Sequence, residues 1–132
     1  KEFRLLGAKR AVILPIGGAF HTPLMSEVSD KYETHIKNVS FYNPKIPICQ
    51  CNNSAINSDV ETIKFNLMQH MTSSVNWTRM VENMVRHGIT EFVEVGTDDT
   101  LQKIVKRMYP ELAVSSLLDI EVYRGKVTNY SI

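Results

Sequence analysis

The sequence predicts an α/β fold with a mostly parallel sheet, and two observations support this prediction. Short apolar runs rich in strand-forming residues alternate with stretches whose apolar residues recur every three or four positions. The strand-like runs at residues 11–16 and 90–95 each lead into glycine and then into the start of a helix. Strands that alternate with helices at this spacing usually pair in parallel, so a ligand is expected beyond their carboxyl ends.

The first half of the chain is predicted to form two helices and two strands. Gly7 caps the first helix, because glycine readily adopts the left-handed conformation that ends helices. Pro15 confines the first strand to an edge or an end, since it has no N–H to donate. Thr22 is the N-cap of the second helix and Pro23 its first residue. The expected elements are helix 1–6, strand 11–16, helix 23–38 and buried strand 46–49.

The second half is predicted to form three helices and two strands after a polar loop. Ser58 or Asp59 caps the first of these helices, whose apolar face includes Phe65. Asn76 begins the next helix and Gly88 closes it. The expected elements are loop 52–58, helix 59–71, helix 76–88, buried strand 90–95, helix 98–110 and strand 112–117, followed by a surface tail over residues 119–132.

Composition indicates one globular domain and argues against nucleic acid or an anionic membrane as its main partner, whereas a small acidic ligand stays open. The chain has 132 residues, of which 43% are hydrophobic and 22% charged, with a formal net charge of +1. It has no basic cluster typical of nucleic-acid binding, and no apolar run approaches the roughly 18 residues that span a membrane. The chain opens on Lys1 within a helix-like stretch, which favours an excerpt of a longer protein.

The cysteines and histidines give no pattern typical of a metal site. Cys49 and Cys51 are one residue apart and have no second pair at zinc-site spacing. A disulfide between them would be strained, so free thiols in a reducing compartment are expected. No two of the four histidines lie four residues apart, as a helical metal site requires.

His21 is the strongest candidate for chemistry and lies within GGAFHTPLM at residues 17–25. Gly17 and Gly18 allow a sharp turn, and Thr22 starts a helix, so His21 is expected at a strand-to-helix junction. Its imidazole accepts a proton near neutral pH, as a general base must. The residues alone leave a packing role equally open, since no nucleophile-elbow, zinc-protease or phosphate-loop motif accompanies it.

Several short motifs lie in an order that is specific when they are taken together. They are GAKR at 7–10, LPI at 14–16, GAFHTPLM at 18–25, NP at 43–44, IPI at 46–48, SVNW at 74–77 and FVEVG at 92–96. This order resembles that of malonyl-CoA:acyl carrier protein transacylases, over nearly the whole chain to about Leu117. The resemblance implies an α/β-hydrolase-like acyltransferase core: residues 1–16 would end a small ferredoxin-like subdomain with its last strand, and residues 17–132 would form the C-terminal part of the core.

The resemblance also implies a reaction, in which malonyl passes from coenzyme A to a serine and then to the phosphopantetheine thiol of acyl carrier protein, in fatty acid biosynthesis. His21 would be the general base, and Phe20 would shape the acyl pocket and favour malonyl over branched groups, although an aromatic ring at a turn also serves packing. No cofactor is implied beyond these substrates, and no metal site is predicted.

The family's serine elbow, carboxylate-binding arginine and oxyanion glutamine do not occur here, so they are expected from a missing N-terminal part. The chain alone is therefore expected to be inactive.

Two positions depart from the family pattern. His70 stands where the family has a glutamine close to the catalytic histidine and is therefore expected at the substrate site. A backbone contact from this position would tolerate the change, whereas a side-chain contact would alter the tautomer of His21. GTDDTL at 96–101 replaces a Gly-Pro-Gly turn, and its two aspartates are expected to weaken docking of an acidic carrier protein.

Two further functions stay open. The chain could be a noncatalytic module that binds carrier protein, which a full-length protein without the serine elbow would favour. It could also belong to the acyltransferase domain of a polyketide-type synthase, which flanking ketosynthase or carrier motifs would favour. The expected location is the cytoplasm, or the plastid or mitochondrial matrix in a eukaryote, without a nucleic-acid or membrane partner.

Overall fold

The structure is a computed structural model that describes residues 2–13 and 15–117. Its helices are α1 (Glu2–Leu5), a 3-10 turn (Pro23–Met25), α2 (Ser26–Lys37), α3 (Val60–Gln69), α4 (Trp77–Arg86) and α5 (Thr100–Met108). Its strands are β1 (Ile48–Cys49), β2 (Ile56–Asn57), β3 (Glu91–Glu94) and β4 (Ala113–Ser116). Within these residues, each helix is too short or too polar to cross a membrane.

The strands form two small sheets. β1 and β2 pair antiparallel, with Ile48 opposite Asn57. β3 and β4 pair in parallel, with Glu91 opposite Ala113, and α5 connects them and contacts both strands. A parallel pair needs such a crossover, because the chain must return to the same end of the sheet. The α/β class is therefore confirmed, with a parallel sheet of two strands in the described residues.

The junction between β3 and α5 is closed by side chains from its own segment. The Glu94 carboxylate accepts hydrogen bonds from the backbone N–H groups of Leu101 (3.2 Å) and Gln102 (2.8 Å). Asp98 accepts another from the Thr100 N–H at 3.1 Å. The first N–H groups of a helix have no partner within the helix, so these carboxylates satisfy them. Glu94 thus caps a helix that begins six residues after it.

The predicted helix caps are largely confirmed. Asp59 accepts from the Thr62 N–H at 2.8 Å, and Asn76 accepts from the Arg79 N–H at 3.4 Å. Gly88 has a φ of +86°, a left-handed conformation in which glycine is favoured after a helix. Local capping chemistry therefore positions the helix ends correctly.

The core is small and lies among α2, α3, α4 and α5. Its most buried side chains are Val81 and Val105, which are 0% and 2% exposed. Many large apolar side chains remain in contact with solvent instead: Phe3, Leu5, Leu6, Ile13, Leu24, Ile46 and Val95. Hydrophobic burial thus holds together mainly the helices around α4.

Several predicted elements differ from the structure. Residues 11–13 and 15–16 form no strand and are exposed, because no described strand lies beside them to complete a ladder. β2 forms where the sequence predicted a loop, since pairing with β1 stabilises it. Ile48 is exposed and β3 is only partly buried, although both strands were predicted to be buried, and Phe65 is 57% exposed. The tail predicted over residues 119–132 lies outside the described residues.

Candidate active site

His21 lies in a turn immediately before the 3-10 helix Pro23–Met25. Its φ is +63°, a left-handed conformation that is uncommon for residues other than glycine. The Thr22 hydroxyl closes the turn by donating to the Ala19 carbonyl at 2.8 Å and accepting from the Leu24 N–H at 3.3 Å. The His21 backbone is therefore fixed by its neighbours, as the sequence predicts.

Two consecutive carbonyls hold His21 from across the molecule. Its backbone N–H donates to the Met71 carbonyl at 3.0 Å, and its Nδ1 lies 3.1 Å from the His70 carbonyl. A carbonyl oxygen only accepts, so in the neutral imidazole this contact places the proton on Nδ1 and leaves Nε2 with its lone pair. Both carbonyls follow the last residue of α3, where backbone acceptors lack helical partners. The arrangement gives the tautomer that a general base requires.

The His70 side chain also contacts the His21 ring. The two ring centroids are 4.8 Å apart with an interplanar angle of 80°, an edge-to-face contact. The pKa of His70 is lowered from its ordinary value of 6.5, mainly by burial and secondarily by the nearby His21. His70 is therefore predominantly neutral at pH 7. Since the contact to His21 Nδ1 comes from the His70 backbone, the replacement of glutamine by histidine leaves that contact available.

Phe20 packs back over the turn rather than into the core. Its side chain is 52% exposed, and a Cβ atom added at Gly18 would lie 3.0 Å from its ring. Gly18 thus provides the space that the Phe20 ring occupies. A role for Phe20 in acyl selection stays a prediction, as does substrate binding by His70.

The other sequence candidates lie apart from this contact. His35 and His87 are exposed, and His87 Nδ1 donates to the Asn83 carbonyl at 2.8 Å. Asp99 forms an ion pair with Lys103 at 2.7 Å, and this hydrogen bond raises the pKa of Lys103. Lys103 thus compensates part of the negative charge that Asp98 and Asp99 add to this turn. Over the part of the chain that is described, three potential metal ligands do not come together anywhere.

The structure also shows a contact that the sequence did not predict. Cys51 Sγ lies 3.3 Å from His70 Nδ1, at a cavity of about 460 Å³. The described lining of this cavity includes Cys51, His70 and Trp77 but not His21. Cys51 is 19 positions from His70, so spacing along the chain gave no signal for the pair.

Comparison with known proteins identifies relatives, although no protein-family model matches the chain. A malonyl CoA-acyl carrier protein transacylase of Staphylococcus aureus (strain COL) is 28% identical over 120 residues, which are 91% of this chain and 39% of that protein. The enzyme of the same name from Salmonella typhimurium is 30% identical over 111 residues, which are 84% of this chain and 36% of that protein. The chain thus spans less than two fifths of these relatives.

Solved structures agree with the sequence relatives. A malonyl-CoA:acyl carrier protein transacylase from Xanthomonas oryzae pv. oryzae has a TM-score of 0.86 over 99% of this chain and 42% of its own, which at 24% identity shows the shared fold. A malonyl-transacylase in complex with a type II PKS acyl-carrier protein is 27% identical, with a TM-score of 0.77 over 86% of this chain and 36% of its own. The chain is therefore homologous to the malonyl CoA-acyl carrier protein transacylases and matches only part of each.

Proposed function

We propose that this chain carries the histidine side of a malonyl-transfer site. The reaction would move malonyl from coenzyme A to a serine and then to the phosphopantetheine thiol of acyl carrier protein. The observation that carries the proposal is the contact of His21 Nδ1 with the His70 carbonyl at 3.1 Å. In the neutral imidazole it leaves the Nε2 lone pair able to accept a proton from a hydroxyl group.

His21 acts twice in the proposed cycle. A serine hydroxyl is a weak nucleophile, so Nε2 removes its proton as the oxygen attacks the thioester carbonyl. The resulting imidazolium returns that proton to the sulfur of the leaving coenzyme A. In the second half, Nε2 takes the proton of the carrier thiol as it attacks the serine ester, and then returns it to the serine oxygen. The His70 carbonyl keeps the ring oriented throughout.

The serine is proposed to come from residues outside these 132, as are the arginine for the malonyl carboxylate and the oxyanion donor. The share of each relative that the chain covers, 39% and 36%, supports this proposal. On this proposal, residues 1–16 end a small subdomain and residues 17–132 belong to the C-terminal part of the catalytic core. Half-buried free thiols fit a reducing compartment such as the cytoplasm or an organelle matrix.

Acyl carrier protein is the proposed acceptor. The relatives carry it in their names, and a similar malonyl-transacylase was solved with a type II PKS acyl-carrier protein. Docking would bring the carrier near Asp98 and Asp99, where Lys103 offsets one of the two charges. The double substitution Asp98→Gly with Asp99→Lys is expected to tighten carrier binding, measured by titration calorimetry, and no gain in affinity would contradict this placement.

Incubation with malonyl-CoA tests the proposed function. The full-length protein should gain one malonyl group, detected by intact mass, and pass it to carrier protein that bears phosphopantetheine. The isolated 132 residues should do neither, because they lack the nucleophile. Acylation of a serine within the 132 residues would refute the division of the site, and failure of the full-length protein to transfer malonyl would refute the function.

A further inference from the structure

The thiol of Cys51 faces a base within a cavity. Its Sγ lies 3.3 Å from His70 Nδ1, within hydrogen-bond distance for sulfur, and both residues line the cavity of about 460 Å³. His70 is predominantly the neutral imidazole at pH 7, the form that can accept a proton from a thiol. A thiol and an imidazole in contact are the two groups that a cysteine nucleophile needs.

Cys49 provides an internal contrast, because it lines the same cavity two residues away but is held differently. Its Sγ approaches the Ser54 carbonyl at 3.6 Å and the Met80 carbonyl at 4.0 Å, so it faces acceptors and no base. Burial raises the pKa of Cys49, and the neighbouring Cys51 raises it further. The protonated thiol is therefore the favoured form of Cys49, which makes Cys49 a matched control for Cys51.

Two polar atoms at the same cavity have no hydrogen-bond partner. Trp77 Nε1 and Asn52 Oδ1 are buried, and neither atom finds a partner among the described residues. Both residues line the cavity together with Cys51. Buried polar atoms without partners are rare, and both of these belong to residues of the cavity wall.

The rest of the cavity favours an uncharged acyl chain. Leu67, Val75, Met80 and Leu101 contribute apolar surface, and the described lining contains no lysine or arginine. A malonyl carboxylate would have no cation to pair with there, and its burial would be unfavourable. A short unbranched alkyl chain would bury apolar surface instead.

We propose that Cys51 accepts a short apolar acyl group from an acyl-coenzyme A thioester. The Cys51 sulfur attacks the thioester carbonyl and its proton passes to His70 Nδ1. The bond between the acyl carbon and the coenzyme A sulfur then breaks, and His70 returns the proton to that sulfur. One thioester is exchanged for another, so no oxidant or further reactant is required. The inference rests on the proposed function for the class of substrate, but it uses neither His21 nor the serine.

Acyl mapping on the full-length protein tests this inference. Incubation with hexanoyl-CoA should add one hexanoyl group to the peptide that contains Cys51, and neutral hydroxylamine should remove it, since hydroxylamine cleaves thioesters faster than serine esters. The substitution Cys51→Ala should abolish the label, whereas Cys49→Ala should retain it. His70→Gln should slow labelling about 10²-fold, because it removes the base. Circular dichroism of each variant checks that it is folded.

Three outcomes would overturn the inference: no adduct on Cys51 in the unmodified protein, equal labelling of Cys49 and Cys51, or an unchanged rate in His70→Gln. His21→Ala separates the two proposals, because it should abolish malonyl transfer, whereas Cys51 and its base His70 both remain and the Cys51 adduct should still form. Malonyl transfer without a Cys51 adduct would refute only this inference. A Cys51 adduct without malonyl transfer in the unmodified protein would refute only the proposed function.

Discussion

The turn at His21 and the turn between β3 and α5 look alike in the sequence but are held in different ways. Both lead through glycine into a helix start. The β3–α5 turn follows a real strand and is closed by Glu94, only seven residues from the first N–H it caps. The His21 turn follows no described strand and has local hydrogen bonds through Thr22, but it is also held by carbonyls 49 and 50 positions away. Local contacts close both junctions, and only the His21 turn adds contacts from a distant segment.

This difference separates a structural turn from a candidate site. Contacts within one segment form whenever that segment folds, and they report on stability. Contacts from a distant segment form only when the two parts pack, and they fix a side chain against the rest of the fold. His21 adopts a left-handed φ in that setting, and such strain is frequent at functional sites.

The largest expected effect is on catalysis through His21. His21→Ala in the full-length protein should lower kcat for malonyl transfer about 10²- to 10⁴-fold, because the general base is lost. The matched control is His87→Ala, which removes an exposed imidazole at the end of α4. Steady-state transfer to carrier protein measures both variants. Equal activity of His21→Ala and His87→Ala would show that His21 does not take part in the reaction.

A smaller effect is expected on specificity at the same turn. Phe20→Ala should reduce the ratio of kcat/KM for malonyl-CoA over methylmalonyl-CoA about 10-fold, because removing the ring opens space for the extra methyl group. Phe41→Ala is a suitable control, since it removes an aromatic ring elsewhere. An unchanged ratio in Phe20→Ala would restrict Phe20 to packing over Gly18.

At the other turn, the expected effect is on stability. Glu94→Ala should lower the free energy of unfolding by about 1 kcal/mol, since two N–H groups at the start of α5 lose their acceptor. Urea denaturation measures this change, and the exposed Glu111→Ala is the control. The malonyl-transfer rate should stay the same. A loss of transfer at full stability would mean that the two turns are coupled.

The smallest effect is expected from His70→Gln. Its backbone carbonyl, which contacts His21, is retained, so kcat for malonyl transfer should change less than about 3-fold, a change worth under 1 kcal/mol. The pKa of His70 is lowered by folding, so its contribution to stability is present above pH 6.5 and declines as the pH falls below 6.5. His70→Gln should lack this decline in urea titrations between pH 7 and pH 5. A large loss of kcat would instead assign the His70 side chain to the reaction.

The features predicted correctly from the sequence depend on neighbours along the chain. Asp59, Asn76 and Gly88 end or begin helices through bonds within a few residues, so their patterns are visible in the sequence. The same holds for the Thr22 cap beside the candidate base. The β3–α5–β4 order was also predicted, because a parallel pair requires a crossover.

The features that the sequence missed depend on partners far along the chain. Residues 11–16 have strand composition, but a strand also needs a neighbour to share its hydrogen bonds. β2 has loop-like composition and becomes a strand because β1 pairs with it. The Cys51–His70 contact joins a segment after β1 to the end of α3, and no spacing rule connects them. The contact of His21 Nδ1 with the backbone carbonyl of His70 likewise joins residues 49 positions apart, so the sequence did not distinguish it from a side-chain contact.

The pair of carbonyls at residues 70 and 71 makes the candidate base insensitive to one kind of mutation and vulnerable to another. Side-chain substitutions there leave the oxygens in place, so these positions can diverge among related proteins while the imidazole keeps its orientation. A single-residue insertion or deletion in α3 would rotate the helix end by about 100° and withdraw both oxygens at once. When variants are selected for malonyl transfer, point changes at 70 and 71 should therefore be tolerated, whereas frame-preserving length changes between residues 60 and 69 should be strongly depleted.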